Sequence, residues 1–284
     1  MRNAYFLSFI GANDINAEIR KKLIIEHGAI MVGYYSDIKK YHRAGKYYTY
    51  FYDKYKNRTT HEVLLAGWDD DFSRNNFNPK PSKNGAWLVK NSWGTDWGNK
   101  GYFWMSYEQP LYGGTAFILE KFNPNLRHYG YDDLGFCQTI SYSWGANIFK
   151  VRGDKEFLKE IAFYAAKNNT DYEIFIYDLG NEATNSPVSG NLIATCKGNM
   201  ELAGYYTVNL PKEIAMKKGE YFSVVLKTNR NVMPVETKRD KHSENAVVHE
   251  HESYFSRDGI KWTDGINISG GSNACIKAFT IIKP

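Results

Sequence analysis

The stretch "GAWLVKNSWGTDWGNKGYF", residues 85–103, contains two apolar runs separated by a turn rich in glycine. Both runs, AWLVKNSW and GYFWMSY, are typical of β-strands because aromatic and β-branched residues recur in them. Asn91 stands at the end of the first run, and Trp93 follows it closely. The residues suited to tight backbone bends in the turn are Gly94, Gly98 and Gly101.

A second strand-type run, "HEVLLAGW" at residues 61–68, begins with His61 after a polar segment. If this strand and the one ending at Asn91 are antiparallel neighbours, their two side chains come within hydrogen-bond reach. An imidazole can then hold a nucleophile's proton while an amide oxygen orients the ring. Alone, His61 is more simply structural and Asn91 a turn former, so only their combination predicts a site. The predicted supporting residues are Trp93, which shields the pair from water, Gly94 and Trp97.

The rest of the first half contains one predicted helix and one further predicted strand. Residues 14–27 carry apolar residues on one helical face, begin with a capping Asp and end at Gly28. "AIMVGYYS", residues 29–36, reads as a buried strand, and residues 37–60, rich in Tyr and Lys, as a long loop. The triplet Asp69, Asp70 and Asp71 indicates a charged loop or a cation site.

Beyond residue 122 the composition shifts, and short strand-type runs recur between Gly, Asn and Pro. These runs include YEIFIYD, NLIATC, GYYTVNL, YFSVVLKT and ACIKAFTII. We predict an α+β chain with a first domain at residues 1–122, a linker at 123–133 and an all-β sandwich or jelly roll at 134–284.

Composition excludes several classes of function. The net charge of +5 is spread along the chain without a block of Lys or Arg, so we expect no nucleic-acid partner. We expect no membrane span, since no apolar run approaches the required length, and no signal peptide is evident. The three scattered cysteines predict neither a disulfide framework nor a zinc site. We expect no metal and no cofactor.

The blocks at residues 19–37, 61–70 and 86–103 together resemble the C-terminal, β-rich half of a papain-like cysteine peptidase. By that resemblance His61 matches the catalytic histidine and Asn91 the asparagine that orients it. The implied substrate is a protein or peptide. One departure is Glu62, where the family commonly has a small residue after the histidine.

The family's nucleophilic cysteine lies about 130 to 150 residues before the histidine and asparagine, in a helical half. None of the 60 residues before His61 is a cysteine, and the glutamine motif of the oxyanion hole is also missing. The cysteines present all follow Asn91: Cys137, Cys196 and Cys275. We therefore expect a truncated peptidase, inactive alone, whose helical half lies upstream or in another chain. The alternative is a binding or adhesion module on a pseudopeptidase scaffold.

The second half resembles the lectin-like β domain attached to some bacterial secreted papain-like peptidases. That resemblance implies an extracellular or cell-surface location and carbohydrate as a possible ligand. Aromatic residues that could stack on a ligand, or fill the core, are Tyr205, Tyr206, Tyr254 and Trp262. His249 and His251, in "HEHES", are expected on one face of a strand, as a solvated edge or a metal site.

Overall fold

The structure, a computed structural model, describes residues 1–7, 17–54, 58–182, 184–239, 241–268 and 270–283. The chain forms two compact units. The first contains Met1 and Asn3–Leu119, and the second contains Arg2 and Glu120–Pro284. No helix among the described residues is both long enough and apolar enough to cross a bilayer.

Among its described residues, the first unit combines one helix with eight strands, whose order in the sheet is β3-β4-β7-β6-β5-β2-β8-β1. All described strand pairs in this unit are antiparallel except β4 with β7. The elements are β1 (Asn3–Leu7), α1 (Ala17–His27), β2 (Ile30–Tyr34), β3 (Tyr41–Ala44), β4 (Tyr47–Tyr50), β5 (His61–Asp69), β6 (Ala86–Lys90), β7 (Tyr102–Ser106) and β8 (Leu111–Ile118). Short 3-10 turns occupy Ile38–Lys40 and Arg74–Asn76.

The central strand β5 alternates between the core and the outside, as its sequence predicts. Val63 and Leu65 are buried, whereas Glu62 and Leu64 point outward. The predicted helix is confirmed over Ala17–His27, and it ends where Gly28, with φ of +89°, donates its N–H to the carbonyl of Ile24. The predicted capping residue and residues 14–16 lie outside the described part of the chain.

The prediction of a long loop over residues 37–60 is wrong. Residues 41–50 form the hairpin β3-β4, with Tyr41 opposite Tyr50 and a turn at Gly45, whose φ is +59°. Tyrosine has a high strand propensity, and here its rings pack against each other across the hairpin at 4.7 Å between centroids. The many lysines of this segment favoured the prediction of a loop, although its tyrosines are typical of strands.

The second unit is a β-sandwich, which confirms the predicted fold class. Its larger sheets have the orders β15-β12-β21-β9 and β14-β13-β16-β11-β18-β19, and a small third sheet is β10-β17-β20. β11 and β16 lie against β21. The strands are β9 (Leu126–Tyr129), β10 (Gln138–Ile140), β11 (Trp144–Lys150), β12 (Glu156–Ala165), β13 (Thr170–Gly180), β14 (Asn191–Met200), β15 (Ala203–Met216), β16 (Tyr221–Thr228), β17 (Met233–Glu236), β18 (Ser253–Ser256), β19 (Thr263–Asp264), β20 (Asn273–Ala274) and β21 (Ile276–Ile282).

Two segments of the second unit have structure that their sequences did not indicate. Residues 126–129, within the expected linker, form β9 and pair with β21. The expected strand around His249 and His251 is wrong, because residues 250–252 form a turn in which His251 has a φ of +69°. A left-handed residue cannot continue an extended strand, so the period-two alternation does not apply there.

Candidate active site

The pairing of β5 with β6 brings His61 and Asn91 together. The strands are antiparallel, with Leu64 opposite Lys90, so the start of β5 lies beside the residue that follows β6. The Nε2 atom of His61 is 2.8 Å from the Oδ1 atom of Asn91. Asn91 is buried, with 6% of its surface exposed, whereas His61 is half-buried. The two residues predicted to act together therefore form a direct hydrogen bond.

The orientation of the Asn91 amide follows from its neighbour. The backbone N–H of Ser92 points to the same Oδ1 atom at 2.8 Å. Because a backbone N–H can only donate, the atom between it and the imidazole must be the oxygen. His61 consequently donates its Nε2–H to Asn91, and in the neutral ring Nδ1 carries the free lone pair. The pair thus presents a base whose reactive atom is defined.

Trp93 and Trp97 lie around this pair. The Trp93 ring stacks on the His61 imidazole, with centroids 5.0 Å apart and planes inclined by 24°. Trp97 meets Trp93 edge to face at 4.9 Å. Trp93 remains 38% exposed, so it separates the imidazole from water on one side without closing the site.

The glycines of the turn let the chain bring these tryptophans back over the histidine. Gly94 has a φ of +84° and Gly98 a φ of +63°, both in the left-handed region. At Gly98 a Cβ atom would lie 2.7 Å from the carbonyl oxygen of Tyr102, whereas at Gly94 it would meet nothing within 4 Å. Gly98 is therefore required for space as well as for conformation.

Two tyrosines that were not predicted as site residues, Tyr34 and Tyr41, pack beside the residues of the site. Tyr34 lies opposite His61 in the β2–β5 pair, with ring centroids 5.8 Å apart, and its hydroxyl is hydrogen-bonded to that of Tyr41. Tyr41 contacts Trp93 at 5.6 Å and Trp97 at 5.1 Å. Burial raises the pKa of both hydroxyls above the ordinary tyrosine value, so they remain neutral. Tyr34 lies in the predicted buried strand, and Tyr41 begins the tyrosine-rich hairpin, so aromatic residues in both segments were the available signal.

A groove of about 340 Å³ adjoins Asn91 on the side of the sheet to which Glu62 and Leu64 point. Its walls include Met31, Glu62, Leu64 and Lys90, and Asn91 forms part of it. Leu64 is 37% exposed there. The Nδ2 atom of Asn91 is buried and has no hydrogen-bond partner among the described residues. A buried donor of this kind ordinarily has a partner, and the described chain supplies none.

The three cysteines all lie in the second unit. Burial raises the pKa of the Cys196 and Cys275 thiols, which disfavours the reactive thiolate. The thiol of Cys137 donates to the carbonyl of Gly135 at 3.5 Å.

Asp70, at the centre of the predicted acidic triplet, has protein partners. The carboxylate of Asp70 accepts hydrogen bonds from Lys21 and from the Tyr107 hydroxyl, both at 2.8 Å. The Lys21 hydrogen bond is the main reason that the pKa of Asp70 is lowered. Within the described ranges, no group of three or more His, Cys, Asp or Glu side chains could hold a metal ion.

The aromatic residues suggested for the second unit divide into two groups. Tyr205, Tyr206 and Tyr254 are buried, with 5%, 8% and 2% of their surfaces exposed. Trp262 is half-buried beside a cavity that also includes Tyr254. Core packing therefore accounts for Tyr205 and Tyr206.

Two protein-family models match the chain, each over a different range of residues. Residues 8–116 match the papain family cysteine protease, and residues 128–280, more than half of the chain, match the lectin like domain. Cathepsin C of Schistosoma mansoni is 32% identical over 107 residues, which are 35% of this chain and 21% of that protein. Cysteine proteinase 2 of Dictyostelium discoideum is 49% identical over 39 residues, which are 14% of this chain and 10% of that protein. The chain thus spans less than a quarter of either curated relative.

Two solved structures share the fold of nearly the whole chain. A clostridial cysteine protease, Cwp84 after propeptide cleavage, is 25% identical with a TM-score of 0.82, covering 99% of this chain and 71% of that one. The cysteine protease and lectin-like domains of Cwp84, described as a surface layer associated protein of Clostridium difficile, are 24% identical with a TM-score of 0.79. That match covers 99% of this chain and 63% of the other.

Proposed function

The chain belongs to the lectin-like domain family, with papain-family cysteine protease sequence ahead of that domain, and from this premise we propose that its first unit is the base-bearing half of a cysteine peptidase. The observation that carries the proposal is the His61–Asn91 hydrogen bond of 2.8 Å, with the amide orientation set by Ser92. The substrate is a protein or peptide.

The proposed roles follow from the atoms that the pair leaves free. Nδ1 of His61 accepts the proton of a cysteine thiol, which gives the nucleophilic thiolate. Asn91 accepts the Nε2–H throughout, so the ring keeps its orientation when it becomes an imidazolium. The same Nδ1–H then protonates the leaving amine of the substrate. Trp93 limits the access of water to the hydrogen bond.

The thiolate itself comes from a helical half that lies upstream in a longer polypeptide or in a separate chain. Two observations support this arrangement. Burial raises the pKa of two of the thiols of the second unit, those of Cys196 and Cys275. The Nδ2 atom of Asn91 is also a buried donor that has no partner among the described residues.

For location we propose the extracellular side of the cell or its surface. The support is the similarity to Cwp84, a surface layer associated protein of Clostridium difficile. The proposal concerns the whole parent protein rather than any segment of this chain.

The test is peptide hydrolysis by the native protein, recovered from its source with an antibody against residues 120–284. We expect reduced protein to cleave fluorescein-labelled casein and an epoxysuccinyl inhibitor to stop it. His61→Ala, introduced into the native gene, should abolish cleavage. His42→Ala, a histidine substitution on β3, is the matched control and should retain it. Cleavage that survives His61→Ala would refute the proposed role.

A second candidate function is a non-catalytic binding or adhesion module formed by the second unit. The observation that favours it is the match of residues 128–280 to the lectin like domain, together with the half-buried Trp262 beside a cavity. Its test is saccharide binding by the full chain with His61 replaced. Such binding should persist when the peptidase site is disabled.

A further inference from the structure

The six-stranded sheet of the second unit has aromatic residues on its outer face. Along β11, Asn147 points inward and donates to the carbonyls of Ala274 and Ile276, whereas its neighbours Ala146 and Ile148 point outward. The outward residues are overlaid by partly buried side chains, which are Trp144, Phe175, Tyr177, Leu179, Val188, Tyr221 and Trp262. These side chains cover four buried residues on the face of the sheet opposite Asn147, which are Ala146, Ile148, Val225 and Tyr254.

At the edge of this face lies a cavity of about 470 Å³. The half-buried Trp262 provides aromatic surface, Tyr254 lies behind it as a buried part of the lining, and the rest includes the polar residues Asn185, Glu250 and His251. That volume falls within the range of natural small-ligand sites. A flat ring next to several hydrogen-bonding groups suits a saccharide, whose C–H face packs on the ring while its hydroxyls bond to side chains.

The cavity is built around His251 and Asp264. His251 has a φ of +69°, unusual for a residue with a side chain. Its backbone N–H donates to Oδ2 of Asp264 at 2.7 Å, and its Nδ1 lies 3.3 Å from the Tyr254 hydroxyl. Oδ1 of Asp264 also accepts from Ile266. The Asp264 carboxylate thus holds the backbone at both His251 and Ile266. A left-handed backbone conformation in a residue other than glycine is often found at functional sites.

We propose that this cavity binds one or two residues of a neutral saccharide, stacked on Trp262. The charged carboxylates in the lining, Glu250 and Asp264, would repel an acidic sugar and leave a neutral one unaffected. The inference rests on the second candidate function above, and it adds the position of the site and the charge class of its ligand.

The experiment titrates the full chain with neutral cellotetraose, with neutral N-acetylchitotetraose and with the acidic tetrasaccharide of hyaluronan, followed by calorimetry and by the indole N–H resonances. We expect at least one neutral probe to bind and to shift the Trp262 resonance. Trp262→Ala should weaken binding by about tenfold or more, and Trp262→Phe less. Phe122→Ala removes a 90% exposed aromatic residue of the same unit outside the cavity and should have no effect.

The outcomes separate the two proposals. If a neutral probe binds but Trp262→Ala binds equally well and the Trp262 resonance does not move, this site is refuted while the binding function stands. If neither neutral probe binds the wild-type chain, both are refuted. Tighter binding of the hyaluronan probe would refute the charge class. The resonance shift is measured on the wild-type chain, so the test holds even if a variant fails to fold.

Discussion

Asn91 holds the His61 imidazole by its Oδ1 atom, 2.8 Å from Nε2, and the backbone N–H of Ser92 holds that same oxygen. This shared acceptor determines which ring nitrogen keeps its proton. It also removes the need for any ionised group to orient the ring, since an amide oxygen suffices. The geometry of the pair is therefore set by two strand ends and one backbone amide.

The first prediction concerns the proton on Nε2 of His61. Because the bond to Asn91 is largely buried, the Nε2–H should exchange slowly and give an observable proton resonance near neutral pH. Asn91→Ala should abolish that resonance. Asn91→Asp should keep it, because a carboxylate also accepts. A resonance that persists in Asn91→Ala would show that another group holds the proton. In the active parent protein, Asn91→Ala should lower kcat/KM by about 100-fold.

The second prediction concerns the shield formed by Trp93. Trp93→Ala removes the ring that stacks on His61 and should lower the free energy of unfolding by about 1 kcal/mol. The Nε2–H should also exchange faster with water. Trp93→Phe keeps an aromatic face and should recover most of both effects. Urea denaturation and proton exchange rates provide the two readouts. Equal behaviour of the Ala and Phe variants would mean that stacking plays no part.

The third prediction compares two glycines of the same turn. Gly94→Ala places a side chain in the left-handed region without a clash, so it should cost about 1 kcal/mol of stability. Gly98→Ala adds a contact of 2.7 Å with the Tyr102 carbonyl and should cost about 3 kcal/mol or more. Urea midpoints of the two variants test the order. A larger loss for Gly94→Ala would contradict the described backbone.

The fourth prediction concerns pH and the Lys21–Asp70 pair. The folded state lowers the pKa of Asp70, chiefly through the Lys21 hydrogen bond, so the pair's contribution is present above the ordinary aspartate pKa and is lost as pH falls through the folded value. Both groups are near the surface, so the contribution at pH 7 should be below about 1 kcal/mol. Asp70→Asn should therefore destabilise the chain slightly at pH 7 and scarcely at all at pH 2.

The control for this pair is Asp71→Asn, which removes the same charge one residue away. Urea midpoints at the two pH values should distinguish the variants only at pH 7. A loss from Asp70→Asn that is equal at both pH values would assign the effect to something other than the ion pair.

Sequence reasoning reached the His61–Asn91 pair because its determinants are local. A strand beginning at His61 and a strand ending just before Asn91 can be recognised from alternation and from the turn that follows. The tautomer of His61 could not be predicted from the sequence, because it depends on the direction in which the N–H of Ser92 points. The hairpin with Tyr41 was missed because strand propensity competed with many lysines, and such short strands depend on tertiary contacts.

In the second unit, too, some features could be predicted from the sequence and others could not. Its strands could be predicted from short apolar runs, and five of the predicted runs form β13, β14, β15, β16 and β21. The left-handed backbone of His251 could not be predicted, because its N–H donates to the Asp264 carboxylate, thirteen residues later in the chain. The cavity at Trp262 likewise arises from loops that meet only in the folded chain.

The most direct measurement is to label the reduced native protein with a biotinylated epoxysuccinyl peptide and to map the modified residue by mass spectrometry. We predict one modified cysteine, located outside residues 1–284, and loss of labelling in His61→Ala but not in His42→Ala. Labelling of Cys137, Cys196 or Cys275, or labelling that is unchanged in His61→Ala, would contradict the proposal that His61 activates a cysteine supplied by a separate helical half.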